Sequence, residues 1–185
     1  YSMTTLTTGN HNVAVGTSAL DVTTTGSQNV AVGRDALGAN TTASENVSVG
    51  YQSMFTNTTG NQCVAVGTYA LYPQTTGNAN VAVGYNSGGG ITTASNNTIM
   101  GFRTGQSLTT GGDTTAVGAY SGYSATTGTR NTYVGKNAGY YNTTATGNTL
   151  IGHASNGNGA GQSITTGSNN TVIGGYNGNQ DSVDI

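Results

Sequence analysis

The side chains that could carry acid–base chemistry are few and scattered. The carboxylates are Asp21, Asp35, Glu45, Asp113, Asp181 and Asp184, and only the last two are close in sequence. Hydrolysis of a glycosidic bond needs two carboxyl groups facing one bond at roughly 5 to 10 Å. Asp21 and Asp35 lie on successive repeats and could approach, but they fall at different points of the sequence pattern described below, which argues against such a pair. His11 and His153 stand apart in the same way, which suggests neither a metal pair nor a nucleophile with its base. Gly157-Asn-Gly-Ala-Gly-Gln162 has the glycines of a phosphate-cradling loop but no following lysine. Calcium sites of repetitive toxins need an Asp in each repeat, where this chain has Thr, Asn and Gly. No catalytic residue, metal or cofactor is expected, and the chain reads as a non-enzyme.

Charge excludes further classes. Charged residues make up 5% of the chain, against about 25% in ordinary globular proteins. The net charge is −2, with Arg34, Arg103, Arg130 and Lys136 the only Lys or Arg residues, so there is no electrostatic footprint for nucleic acid or an anionic membrane. No apolar run approaches the ~20 residues that span a bilayer, and membrane insertion is not expected. The single Cys63 rules out an internal disulfide. It reads as a small residue replacing an Asn in a packed column, with a reactive thiol as the alternative.

Binding candidates are aromatic. Tyr51, Tyr85 and Phe102 directly follow a recurrent glycine, and Tyr69, Tyr120 and Tyr176 come one place later. Strand alternation predicts that these two sets lie on different faces. On a surface with so little charge, Tyr51, Tyr69, Tyr85, Phe102 and Tyr120 could stack on the sugar rings of a cell-surface glycan, or could pack at corners. The loop from Asn156 to Gly161 is a second candidate. Sequons for N-linked sugar occur at Asn40, Asn46, Asn57, Asn96, Asn142 and Asn169.

These residues are positioned by a strict repeat. Glycine closes the same phrase at Gly16, Gly33, Gly50, Gly67, Gly84, Gly101, Gly118, Gly135, Gly152 and Gly174; the first eight intervals are 17 residues and the ninth is 22. A Thr-Thr pair recurs in every unit, from Thr7-Thr8 to Thr165-Thr166. Such a period means a stack of coils stabilised by neighbour contacts. The predicted fold is all-β, a β-solenoid of the β-roll or β-helix type with ten coils. It covers 1–185 as one array, with an insertion at about 154–161 and an exit segment at 175–185. With Tyr1 and not Met at its start, the chain is expected to be processed or a piece of something larger.

Within Val13-Ala14-Val15 and its equivalents the two valines point one way and the alanine the other. The valines are expected to form the core, deepest at Val15, Val32, Met100 and Ile151, which leaves the alanine face for a partner. Leu20, Leu37, Met54 and Leu71 give way to Gly88, Gly105, Gly122 and Gly139 at one repeat position. Either Met100, Tyr133 or Leu150 fills the later core, or the coils close more tightly there. Asn12, Asn29, Asn46, Asn80, Asn97, Asn131, Asn148 and Asn170 should form a hydrogen-bonded ladder along the axis, interrupted at Cys63 and Thr114. The Thr-Thr column raises ice binding, but only one threonine of each adjacent pair can join a flat outer array.

A thin solenoid with open strand edges is marginal alone. Self-association is therefore expected, as a homotrimer or, alternatively, an open filament, with a single-chain solenoid as the remaining choice.

The stretches Asn46-Val-Ser-Val-Gly-Tyr-Gln-Ser-Met-Phe-Thr-Asn-Thr-Thr-Gly60 and Asn131-Thr-Tyr-Val-Gly-Lys-Asn-Ala-Gly139 resemble the 17-residue repeats of bacteriophage tail-fibre and related surface proteins. Those arrays often precede an endosialidase-type intramolecular chaperone domain, which this sequence does not contain. The phrase is also similar to the shorter head repeats of trimeric autotransporter adhesins. The resemblance implies a virion or extracellular fibre, commonly trimeric, and non-enzymatic. The alternative is a cell-surface adhesin or extracellular filament subunit that assembles end to end.

Overall fold

In the computed structural model, residues 1–153 and 157–176 are described; Ala154, Ser155, Asn156 and most of the exit segment lie outside them. Counting the Asn before each strand as position 1 of a coil, positions 2 to 4 form strands β1 (Val13–Val15), β2 (Val30–Val32), β3 (Val47–Val49), β4 (Val64–Val66), β5 (Val81–Val83), β6 (Thr98–Met100), β7 (Thr115–Val117), β8 (Thr132–Val134), β9 (Thr149–Ile151) and β10 (Thr171–Ile173). They build one parallel sheet in simple sequence order. Its register pairs like with like, for example Val13 with Val30 and Ala31 with Ser48. The fold is a β-solenoid, and at ~4.8 Å per strand the sheet extends roughly 43 Å.

Hydrogen bonds between coils continue around the rest of each turn. Leu20 N–H donates to Ala36 O at 3.1 Å, Thr24 N–H to Thr41 O at 2.9 Å, and Gln28 N–H to Asn10 O at 2.9 Å. The first threonine of each pair adds its hydroxyl, as in Thr41 Oγ1 to Thr58 O at 3.2 Å and Thr58 Oγ1 to Thr75 O at 3.2 Å. The second threonine, Thr25, Thr42, Thr59 and onward, is exposed in single file.

The strand faces are the reverse of the expected ones. Ala31, Ala65, Ala82, Ile99, Tyr133 and Leu150, the middle residues, are fully buried, whereas Val15 is 56% exposed and Met100 40%. The valine columns lie outside, and the alanine face is the core. With only three strand residues per coil, positions 1, 3 and 5 share one side. The buried Asn and the closing Gly therefore take the middle residue inward with them. Small side chains suit the narrow interior of a short coil.

The switch from leucine to glycine at position 9 does not change the backbone. Leu37 and Met54 sit at φ 50° and 48°, and Gly105 and Gly122 at 58° and 56°. This left-handed conformation costs an L-residue roughly 1 kcal/mol or more, and glycine little. What moves is the apolar filling. Leu20, Leu37, Met54 and Leu71 face polar position-12 residues Thr23, Asn40, Asn57 and Gln74, all buried. Where position 9 is Gly88 or Gly105, position 12 becomes Ile91 or Leu108, and further along Tyr133 and Leu150 enter from the strand. Of the three expected fillers Tyr133 and Leu150 do the filling. Met100 does not, because position 4 points outward.

The closing glycines have a second reason. Gly67 sits at φ 132°, and a Cβ there would stand 2.5 Å from Gly84 O in the next coil. Only glycine allows both that torsion and that backbone approach.

Candidate binding surface

The residues after each closing glycine turn a corner. Position 7 is left-handed in Asp35, Tyr69, Arg103 and Tyr120, at φ 59°, 59°, 50° and 60°, so the alternation of an extended strand does not hold there. The two aromatic sets expected on opposite faces consequently lie together. Tyr51 meets Tyr69 edge to face with centroids 5.4 Å apart, and Tyr69 meets Tyr85 at 6.2 Å. Tyr85 stacks on Phe102 at 5.5 Å, and Phe102 meets Tyr120 at 5.3 Å.

The ridge is wider than the sequence reading allowed. Phe55, Tyr72, Tyr123 and Tyr140, all at position 10, join it: Phe55 stacks on Tyr72, Tyr72 touches Tyr69, and Tyr123 touches Tyr120 and stacks on Tyr140 at 4.8 Å. Tyr141 ends the series against Tyr140. The signal was present as four aromatics in one repeat register. Edge-to-face and offset pairs contribute about 0.5–1.5 kcal/mol each beyond burial, so the ridge also braces the coils. Tyr51, Tyr85, Phe102 and Tyr141 keep the most open surface, at 37%, 43%, 42% and 50%. Loss of water and the crowding of neighbouring phenols raise the pKa of Tyr69 and Tyr140. Tyr176 lies on the last described coil, beside Thr171, Val172 and Ile173.

The expected asparagine ladder is present. Asn29 N–H and Nδ2 both donate to Asn12 Oδ1, at 2.9 and 3.2 Å, and Asn46 does the same to Asn29 at 3.0 and 3.2 Å. Asn97 bonds Asn80 from both nitrogens, Asn148 N–H reaches Asn131 Oδ1, and Asn170 bonds Asn148. Each amide also ties down a turn, as Asn46 Nδ2 does to Gly60 O. Cys63 keeps the column continuous: its N–H donates to Asn46 Oδ1 and Asn80 N–H approaches its Sγ. Burial pushes the Cys63 thiol above its ordinary pKa, which favours the inert thiol.

Burial also corrects the sequons. Asn40, Asn46, Asn57 and Asn142 are completely buried, and their amides face the coil interior, where a sugar does not fit. Asn96 and Asn169 are exposed. In the second candidate, the loop, Asn156 lies outside the described residues. Gly157 O accepts Asn137 Nδ2 at 2.9 Å, and Gly159 bridges His153. Ala160 is buried and Gly161 packs beside Leu150, so the insertion rejoins the core by position 8.

The carboxylates face different neighbours. Thr4 Oγ1 donates to Asp21, Gln52 to Asp35, Gln62 to Glu45, and Asn96 to Asp113. Among the described residues no cluster of three or more His, Cys, Asp or Glu could hold a metal ion. No helix there is long and apolar enough to cross a membrane. No protein-family model, curated protein or solved structure matches the chain.

Proposed function

We propose that the chain is a non-enzymatic structural segment of an extracellular or virion fibre, of the phage tail-fibre kind, whose aromatic ridge binds a receptor glycan. The in-register stack from β1 to β10 carries this reading. It gives length and stiffness, and it converts a repeat position into a straight row of side chains along the axis. A row of rings held by one another is pre-organised for an extended ligand.

Self-association belongs to the same reading, on a different surface from the one expected. The alanine face is inside, so partner copies of a homotrimer would meet on the outward columns led by Val13 and Val15 and their equivalents, which contain no charged residue. Sedimentation and negative-stain imaging test it. Isolated rods of three chains support the homotrimer, indefinite filaments favour the end-to-end alternative, and a monomer at micromolar concentration overturns both.

A further inference from the structure

We infer that the ridge takes an acidic, linear polysaccharide lying along the solenoid axis; this rests on the ridge being the binding surface. The argument is the placement of charge. Three of the four Lys and Arg residues, Arg34, Arg103 and Lys136, occupy positions 6 and 7, the corner that also holds Tyr51, Tyr69, Tyr85, Phe102 and Tyr120. The Arg34 guanidinium carbon lies 5.9 Å from the Tyr51 centroid, and that of Arg103 lies 5.5 Å from Phe102. The chain as a whole is acidic, so this clustering is not a by-product of excess positive charge.

The carboxylates are segregated from most of the ridge. Asp35, on the same corner, is neutralised by Arg34 at 3.3 Å, and Asp21 is engaged by Thr4. Glu45 and Asp113 belong to position 17, in the turn before the Asn, with Arg130 in the same column. From Tyr51 to Tyr141 the ridge therefore carries Arg103 and Lys136 and no carboxylate. Arg34 with Asp35 is the one ion pair among the described residues. Two cations on a ridge of rings and phenol hydroxyls lack a counter-charge, and a carboxylate would supply it through charge-assisted hydrogen bonds.

Geometry favours a long chain over a short ligand. Six coils of rings extend roughly 24 Å, and Arg103 and Lys136, two coils apart, are roughly 10 Å apart along the axis. A polymer with a carboxylate on alternate sugars presents charge at a similar interval. Single-stranded nucleic acid also combines stacking with cations, but its charge on every nucleotide calls for a continuous basic groove, which three cations do not make.

Affinity electrophoresis of the intact chain tests the inference, using hyaluronate and unsulfated chondroitin, both with a carboxylate on alternate sugars, carboxyl-reduced hyaluronate as the neutral counterpart, and oligo-dT. The expected result is retention by the carboxylated polymers at least tenfold stronger than by the reduced one. Retention should weaken as salt rises from about 50 to about 500 mM. Lys136→Gln, at an exposed site, and Arg103→Gln should each weaken it several-fold, with Arg130→Gln unchanged and melting temperatures unaltered. Equal retention of the neutral polymer would overturn the acidic specificity while leaving a glycan ridge. No retention on any polysaccharide, or stronger retention by oligo-dT, would overturn the ridge reading itself.

Discussion

Tyr133 Oη donates a 2.7 Å hydrogen bond to Asn142 Oδ1 inside the eighth coil. The ring is fully buried, and it lies where Gly122 and Gly139 leave room: a Cβ on either would come within 2.7 or 2.5 Å of ring carbons. One phenol thus fills what leucine fills elsewhere, and it needs an amide at position 12 to satisfy its hydroxyl.

That arrangement makes stability fall at alkaline pH. Burial raises the Tyr133 pKa far above the ordinary phenol value, and Tyr69 and Tyr140 shift the same way. Above pH ~10 the unfolded chain loses these protons while the folded chain retains them. The folded state then binds more protons, and stability drops as pH rises. The effect is absent below that range. Denaturation followed from pH 8 to 11 should show the fall, and Tyr133→Phe should flatten its slope while lowering stability at pH 8 by about 1–3 kcal/mol through the orphaned Asn142.

Gly67→Ala should destabilise the rod by about 3 kcal/mol or more, because it strains φ and drives a methyl group into Gly84. Gly157→Ala, also at a left-handed φ of 87° but with open space around it, should cost only the torsional part, about 1–2 kcal/mol. Thermal melts of the two variants make the comparison, and equal losses would contradict the stacking argument.

Exchange of filling between positions 9 and 12 is testable as a double-mutant cycle. Leu37→Gly alone removes a buried plug at a cost of about 2–4 kcal/mol, partly offset by about 1 kcal/mol of relieved strain. Adding Asn40→Leu copies the Gly105 and Leu108 pairing and should recover more than about 1 kcal/mol. Asn40 Oδ1 has no partner in the core, and the two acceptors of its Nδ2 stay engaged, Ala43 O by Asn29 Nδ2 and Thr23 Oγ1 through its own bond to Asn40 O.

Asn46→Ala withdraws one rung of the ladder. It leaves Cys63 N–H without its acceptor at 2.9 Å, while Gly60 O loses the bond at 3.0 Å but keeps Asn57 Nδ2 at 2.9 Å, which should cost about 1–3 kcal/mol. Urea midpoints measure it, and a loss below about 1 kcal/mol would mean that water reaches the column.

Secretion through a glycosylating host, followed by peptide mass spectrometry, should find sugar on Asn96 and Asn169 of the folded protein. Asn40, Asn46, Asn57 and Asn142 should be bare, since a glycan on any of them prevents its coil from closing.

The spacing of Gly16, Gly33 and their successors was enough to specify coils in register, and with them the asparagine ladder. Both follow from periodicity alone: equal intervals place equal residues above one another whatever the coil's shape. Which face of Val-Ala-Val is buried was not settled by alternation. It depends on where the chain turns, and Asn at position 1 and Gly at position 5 place those turns so that alanine goes inward. The same limit split Tyr51 from Tyr69 on paper and joined them in space. Left-handed residues at positions 7 and 9 break the two-residue rhythm, and torsions of that kind at Tyr69 or Leu37 are imposed by the stack of neighbouring coils, not by local preference.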